Sequence, residues 1–350
     1  MRGEGFEVNL VSKKLTMQDI ADLAGVSKAT VSRCIHSPHL VRPEKRQRIR
    51  EIIESHHYVY DAIAGDLSRK RSSVIGLIIP TIKSSIFASS THGIQEYARQ
   101  NGFSVLIGNS NYDPESEAAL LKLFQQRRVA GLILTGITTG VKDLLGELGR
   151  GGIPCVVTWE TVDNDSISYA GFDNFKAAFT MTEYLIRLQH RRIGLIIGPY
   201  SRVGRVRLRL EGYRAALEAH GIAFDQSLVM ERGYTLMEGK EAMARLLSKP
   251  LRPTAVFAAS DVLAMGALAA ARERGIKVPE EVSVAGFDDI DFAAYCVPAL
   301  TTIRVPAYEM GQLAVKVLLD LIEGDTGEIR QYCLDTDLII RGSCAGPKEP

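Results

Sequence analysis

Thr16-Met-Gln-Asp19-Ile20-Ala21-Asp-Leu-Ala24-Gly25-Val-Ser27-Lys28-Ala29-Thr30-Val31-Ser32-Arg33 is the stretch whose reading decides the first fold unit. Thr16 can cap the free amides of a first helical turn, and Asp19 can reach back toward it. Ile20, Ala21 and Ala24 follow at core-facing spacing. Gly25 supplies a positive φ for a tight turn. Ser27 is a second N-cap, and 28–35 reads as a second helix with Val31 inward. Two short helices that cross this closely make a helix-turn-helix. The second helix presents Lys28, Ala29, Thr30, Ser32 and Arg33 away from the core. Arg33 can read a guanine edge bidentately or clamp a phosphate, and Lys28 can do either as a point charge. The plain alternative is a solvated polar helix face. Pro43 suits the first turn of a third helix, whose Ile49, Ile52 and Ile53 complete a small core. Lys45, Arg46, Arg48 and Arg50 lie along its outer faces.

Charge supports this reading once the chain is divided. The 350 residues carry 42 Lys+Arg against 41 Asp+Glu, a net of +1. Residues 1–72 alone hold 13 basic and 9 acidic side chains, a net of +4, and 73–350 are left at −3. A basic head on a mildly acidic body points to a polyanion partner for the head alone. At 46% hydrophobic and 24% charged the chain is globular, long enough for two or three domains. No apolar run approaches the ~18 residues of a membrane helix, and 1–14 is mixed and polar, unlike a signal peptide. The five cysteines are scattered without a C-x-x-C, which reads as reduced structural thiols in a cytoplasm rather than disulfides or a metal site.

From Val74 the texture changes. Apolar runs at 74–80, 104–109, 131–135, 155–159, 193–197, 255–259 and 282–285 alternate with amphipathic stretches at 115–127, 175–188, 205–220, 236–247 and 262–274. Continuous apolar strands separated by helices imply a parallel sheet covered on both faces. This is long for one sheet, so two doubly wound α/β lobes are expected beside a small all-α head. The expected division is a flexible tail at 1–14, a head at 15–60 and a hinge and linker at 61–73. An effector-binding and dimerisation body follows at 74–345. Its first lobe is placed at 74–172 plus 304–333, its second at 173–303 plus 334–343.

Residues 15–33 closely resemble the head of LacI/GalR-type (lactose/galactose repressor family) bacterial transcription regulators. The resemblance continues through Val74-Ile-Gly-Leu, Val129-Ala-Gly-Leu-Ile-Leu, His190-Arg-Arg-Ile-Gly-Leu, Ala259-Ser-Asp-Val-Leu-Ala-Met-Gly, Val284-Ala-Gly-Phe-Asp-Asp-Ile and Pro298-Ala-Leu-Thr-Thr-Ile303. It implies a head that binds double-stranded, pseudo-palindromic operator DNA as part of a homodimer. It also implies a periplasmic-binding-protein-like body that senses a small effector, in a bacterial cytoplasm at the nucleoid. Lys28, Ala29 and Arg33 match base-reading positions. Ala64 and Leu67 match a hinge helix whose leucine wedges into the minor groove; the blander reading of Leu67 is a linker residue resting on the body. Gly65 and Asp66 depart from the family pattern. Glycine costs ~1 kcal/mol of helix propensity, and a carboxylate is unfavourable near phosphates, which Arg69, Lys70 and Arg71 can offset. The chain ends without the leucine heptads that make some members tetramers, so a dimer is expected.

Ligands of two-lobed α/β proteins sit where strand carboxyl ends face the crevice. Ile86, Phe87, Trp159, Ser260 and Asp288 fall just after apolar runs, with Arg209 on a following helix and Tyr234 in a later loop. By resemblance, Phe87, Trp159, Arg209, Tyr234, Ser260 and Asp288 match effector-contact positions. Arg209 and Asp288 suit vicinal hydroxyls, and Trp159 and Tyr234 an apolar sugar face. Trp159 also reads as a core residue, Ser260 stands where relatives often carry Asn, and Asp261 reads as a helix cap. On one helix Arg202, Arg205 and Arg209 share a face while Arg207 points elsewhere. Three guanidiniums at one pocket suit an anionic effector such as a sugar acid. A solvated basic stripe or an inter-lobe ion-pair set is the competing view. The effector is thus expected to be a sugar, a sugar acid or a derivative, with no cofactor, metal or catalytic residue.

The function expected is an allosteric repressor. Effector closes the crevice, changes the spacing of two heads, and alters operator affinity by a coupling of ~1–3 kcal/mol in either direction. A transport binding protein would carry a signal peptide and no head. An enzyme would need a phosphate loop, a G-x-G-x-x-G after a strand, or a nucleophile–base pair.

Overall fold

The computed structural model describes residues 15–59, 72–137, 153–162, 166–324 and 329–347. The expectations for the tail at 1–14, and for Ala64, Gly65, Asp66 and Leu67, lie outside them. The chain divides into two units, 1–71 and 72–350. No described helix is long and apolar enough to cross a membrane, and no described cluster of His, Cys, Asp and Glu could hold a metal ion.

The head holds three helices: α1 (Met17–Ala24), α2 (Lys28–His36) and α3 (Pro43–Ser55). Both expected caps form. The Thr16 hydroxyl accepts the Asp19 amide, and the Asp19 carboxylate accepts the Thr16 amide at 2.7 Å. The Ser27 hydroxyl accepts the Thr30 amide at 3.2 Å. Gly25 ends α1 at φ +66°. Ile20, Ala21, Ala24, Val31 and Ile49 form the buried core, with Ile52 and Ile53 against it.

The body contains two wholly parallel sheets. The first comprises β1 (Val74–Ile79), β2 (Ser104–Asn109), β3 (Gly131–Thr135), β4 (Cys155–Thr158), β5 (Ser168–Phe172) and β11 (Gln331–Leu334), in the order β11-β5-β4-β3-β1-β2. The second comprises β6 (Ile193–Ile197), β7 (Val229–Glu231), β8 (Ala255–Ala258) and β9 (Ser283–Ala285), in the order β7-β6-β8-β9. Antiparallel β10 (Thr302–Arg304) and β12 (Asp337–Ile339) make a small separate pair. Helices α4 (Ser85–Gln100), α5 (Pro114–Gln126), α6 (Asn174–Arg187), α7 (Gly204–Ala219), α8 (Leu236–Leu247), α9 (Asp261–Glu273) and α10 (Ala307–Glu323) complete the body. Strands β3, β6 and β8 are buried along their whole length, which is why their apolar runs are unbroken. Each sheet reverses direction of winding once, between β1 and β3 and between β6 and β8, and ligands gather beyond the strand carboxyl ends at such points.

Five strands escape the sequence reading: β5, β7, β10, β11 and β12. They are short, and β11 is an edge strand whose exposed Gln331 and Tyr332 break any apolar run. Asp261 also departs from expectation, because it caps nothing. Its buried carboxylate accepts the Ile290 amide at 2.9 Å and the Thr302 hydroxyl at 2.6 Å, joining α9, the loop after β9 and β10. Burial, reinforced by Asp288, pushes its pKa well above the carboxylate range. Asp261→Ala strands two buried donors and should destabilise the body by about 2–3 kcal/mol in urea unfolding. Asp261→Asn, which imitates the protonated acid, should cost far less; equal losses would contradict this role.

Candidate functional site

The head surface follows from its caps. Lys28, Ala29 and Arg33 are exposed on α2, while Thr30 and Ser32 are half-buried beside it. The Thr30 hydroxyl is engaged with Ser27 at 2.9 Å. Thr16 and Ser27 are exposed at the first turns of α1 and α2. Arg42, Lys45, Arg48 and Arg50 are exposed on or beside α3. Arg46 is half-buried, and its guanidinium donates to the Pro38 carbonyl at 3.3 Å. One exposed face therefore combines Lys28 and Arg33 with the amino-terminal turn of α2.

In the body, loops from both sheets converge on one pocket. Its lining includes all eight expected residues: Ile86, Phe87, Trp159, Arg205, Arg209, Tyr234, Ser260 and Asp288. Ser84 and Tyr112 also line it, and sequence reasoning missed both. Ile86 and Phe87 open α4 after β1, and Trp159 follows β4. Arg205 and Arg209 lie in the first turns of α7 after β6. Tyr234 follows β7, Ser260 follows β8 and Asp288 follows β9.

Arg202 does not join this group. Helix α7 begins at Gly204, so Arg202 precedes it and is exposed. Two guanidiniums rather than three reach the pocket. Nor are they a solvated stripe, because Arg205 and Arg209 are both at least nine-tenths buried. Arg205 donates to the Thr135 carbonyl at 3.2 Å. Arg209 donates to Asn174 Oδ1 and to the Ala259 carbonyl, each at 2.9 Å, and its guanidinium lies 3.8 Å above the centre of the Phe287 ring. Neither arginine forms a salt bridge with a described carboxylate, although Asp288 acts on both electrostatically. Gly136, at φ +76°, leaves Arg205 its room, since a Cβ there would lie 1.9 Å from Nη1. Asn174 is a further positioning residue: it receives Arg209 and donates to the Trp159 carbonyl at 2.8 Å.

Trp159 is a core residue that also lines the pocket. It is 1% exposed, packed edge-on against Phe87 at 4.9 Å and against Phe172 at 6.2 Å, and it lines the pocket. Its buried indole N–H has no hydrogen-bond partner among the described residues. Several pocket residues are held at positive φ: Tyr112 at 58°, Trp159 at 73° and Asp288 at 117°, with Asp289 at 54°. Strain at a non-glycine residue persists only where the surroundings over-determine it, and it collects at functional sites. Asp288 is fixed on both sides. Its amide donates to the Ile303 carbonyl at 2.8 Å, and Asp289 bridges Arg304 at 2.8 Å and Arg341 at 2.7 Å. Ser260, which makes no cap bond of its own, lines the pocket with Asp288. Burial raises the Asp288 pKa to about 7, against the opposing pull of Arg209, Ser260 and Arg205.

Comparison with known proteins gives a consistent picture. Residues 16–61 match the profile "Bacterial regulatory proteins, lacI family", and 182–344 match a periplasmic binding protein-like domain. The transcriptional repressor CytR of Escherichia coli K12 is 36% identical over 328 residues, covering 94% of this chain and 96% of its own. The repressor PurR of Haemophilus influenzae is 33% identical, covering 94% and 98%. Among solved structures, a lac repressor dimer bound to operator and an anti-inducer matches with TM-score 0.84 at 27% identity, covering 95% and 100%. The regulator CelR in complex with cellobiose matches at 0.71 and 31%, covering 94% and 99%. A LacI family regulator of Enterococcus faecium with bound ribose matches at 0.69 and 28%, covering 78% and 99%.

The raised Asp288 pKa has a stability consequence. The unfolded carboxyl ionises in the usual range while the folded one holds its proton to about pH 7. Stability contributed by the folded proton is full at low pH and is lost as pH rises through that window. The stability of the wild type relative to Asp288→Asn should therefore fall between about pH 4 and pH 7 and level off above. Urea unfolding across this range measures it, and a difference independent of pH would refute it.

Proposed function

Because the chain belongs to the lacI family of bacterial regulatory proteins and is a DNA-binding transcriptional regulator rather than an enzyme, we propose that it is a homodimeric repressor controlled by a sugar-like effector. The effector occupies the pocket lined by Arg205, Arg209, Trp159 and Asp288, between lobes at 74–172 plus 304–333 and 173–303 plus 334–343. One observation carries the effector's chemistry: two buried guanidiniums converge on a pocket without a salt bridge to a described carboxylate. Asp288, whose pKa burial raises to about 7, offsets the two buried charges only in part, and an anionic occupant relieves the remaining desolvation cost. The orphan Trp159 N–H adds a donor for a ligand oxygen, and Asp288 with Ser260 adds acceptors for hydroxyls. A sugar acid or sugar phosphate meets all three demands. The cellobiose and ribose held by two structural neighbours support a sugar-class ligand.

The dimer reading draws on the lac repressor dimer among the neighbours and on an exposed apolar patch after β9. Phe292, Tyr295 and Val297 are 62%, 81% and 92% exposed, more than a lone soluble surface ordinarily leaves in one turn. On the DNA side, Lys28, Ala29 and Arg33 read bases, with Thr16, Ser27, Thr30 and Ser32 toward the backbone.

An operator selected from a random pool, bound by the whole protein in filter assays, tests the reading. Glucose, gluconate, glucuronate and 6-phosphogluconate are titrated in turn. At least one should bind the body and shift operator affinity by about 1–3 kcal/mol. Operator affinity indifferent to every sugar that binds would sink it. Arg33→Ala should cost about 1–3 kcal/mol on the selected operator and relax its sequence preference. An equal loss on operator and unrelated DNA would assign Arg33 to phosphate instead.

A further inference from the structure

Tyr112 and Tyr234 reach toward each other from different sheets, the first after β2 and the second after β7. Their rings stack with centroids 5.3 Å apart and planes 24° from parallel. Both are half-buried, and both line the pocket. Neither is loosely placed. Asn111 and Tyr112 are consecutive non-glycine residues at φ 54° and 58°. The turn that carries them is pinned on one side by the Ser110 amide, which donates to the Ile79 carbonyl at 2.9 Å. On the other side Asp113 caps α5. Tyr234 precedes Thr235, the cap of α8, and its phenol lies against Gly198, where a Cβ would come within 2.0 Å of the oxygen.

The space beneath this roof is small. The cavity shared by Arg205, Arg209, Trp159 and Asp288 has about 20 Å³, and the adjoining one behind Tyr112 and Arg205 about 10 Å³. Each is on the scale of a single water molecule, far short of a sugar ring. A ligand can occupy the pocket only if the roof parts.

We propose that Tyr112 and Tyr234 are the two leaves of a gate over the effector pocket, and that Tyr112 is a specificity-determining residue of the site. With the leaves stacked on each other the pocket is shut. With them parted, a ring of an entering ligand takes the place that each tyrosine occupies for the other. A ligand with one flat apolar face and polar edges fits both the leaves and the arginines below. Strain at Asn111 and Tyr112 keeps the leaf aimed at its partner rather than free to swing into solvent. The gate bears on effector entry only if this pocket is the effector site, so it rests in part on the function proposed above.

The chain's single tryptophan, Trp159, lies beneath the gate and reports on it without any ligand. Acrylamide quenching of Trp159 is measured on the unliganded full chain for wild type, Tyr112→Ala, Tyr112→Phe and Tyr234→Leu, with the urea midpoint of each. Tyr112→Ala and Tyr234→Leu should each raise the Stern–Volmer constant about twofold or more while the midpoint barely moves, and Tyr112→Phe, which keeps the ring, should behave as wild type. Unchanged quenching in both opened variants overturns the gate. So does a rise in Tyr112→Phe, or a rise that comes only with collapse of the urea midpoint in both. Because no ligand is used, loss of the gate leaves the effector reading standing. A panel of sugars that all fail to bind would remove that reading and leave the quenching result intact.

Discussion

Arg205 and Arg209 carry their charge into a space that water barely enters, and much of the body is arranged around that fact. A buried guanidinium must spend its donors on something. Here the partners are neutral: the carbonyls of Thr135 and Ala259, the amide oxygen of Asn174 and the face of Phe287. Those partners hold the planes in place without cancelling the charge. Asp288, an acid lining the same pocket, is itself desolvated, and burial raises its pKa. Under the proposed function, the charge these two arginines retain is directed at the occupant of the pocket.

The same arrangement links the two sheets. Asn174, at the start of α6, touches both Arg209 and the backbone of Trp159, so the first strand-end loop and the second share a hydrogen-bonded joint. Asp289, beside Asp288, fastens the opposite wall to Arg304 and Arg341, on either side of the β10–β12 pair. These contacts lie where the chain passes from one sheet to the other. This is the geometry that a coupling between pocket and lobe angle requires.

Much of this was legible in the sequence, for identifiable reasons. The head follows from Thr16, Asp19, Gly25 and Ser27, local signals that depend on nothing distant. The buried strands announce themselves because both faces are covered, and pocket residues could be placed because strand ends mark the crevice. What escaped depended on tertiary context. Tyr112 sits in a left-handed conformation that no local rule assigns to tyrosine. Asn174 reads as a helix-start residue, yet its work is done across the cleft. Asp261 looks like a cap and is instead a buried tie between three segments. Arg202 shares the spacing of Arg205 and Arg209 but falls before the helix that would have aligned it. The short strands β7, β10 and β12 carry too few residues for any periodicity to register.

The order of strands along the chain has one more consequence. The first sheet takes β1 to β5, surrenders the chain to the second sheet, and reclaims it for α10 and β11 before β12 returns to pair with β10. The first sheet is therefore not a continuous stretch of polypeptide, since the whole second sheet intervenes between β5 and β11, and no single contiguous segment carries it alone. The head, by contrast, is one uninterrupted segment. Shuffling of such genes can re-address a sensor to new DNA in one crossover, whereas a new ligand preference has to be reached residue by residue around the pocket.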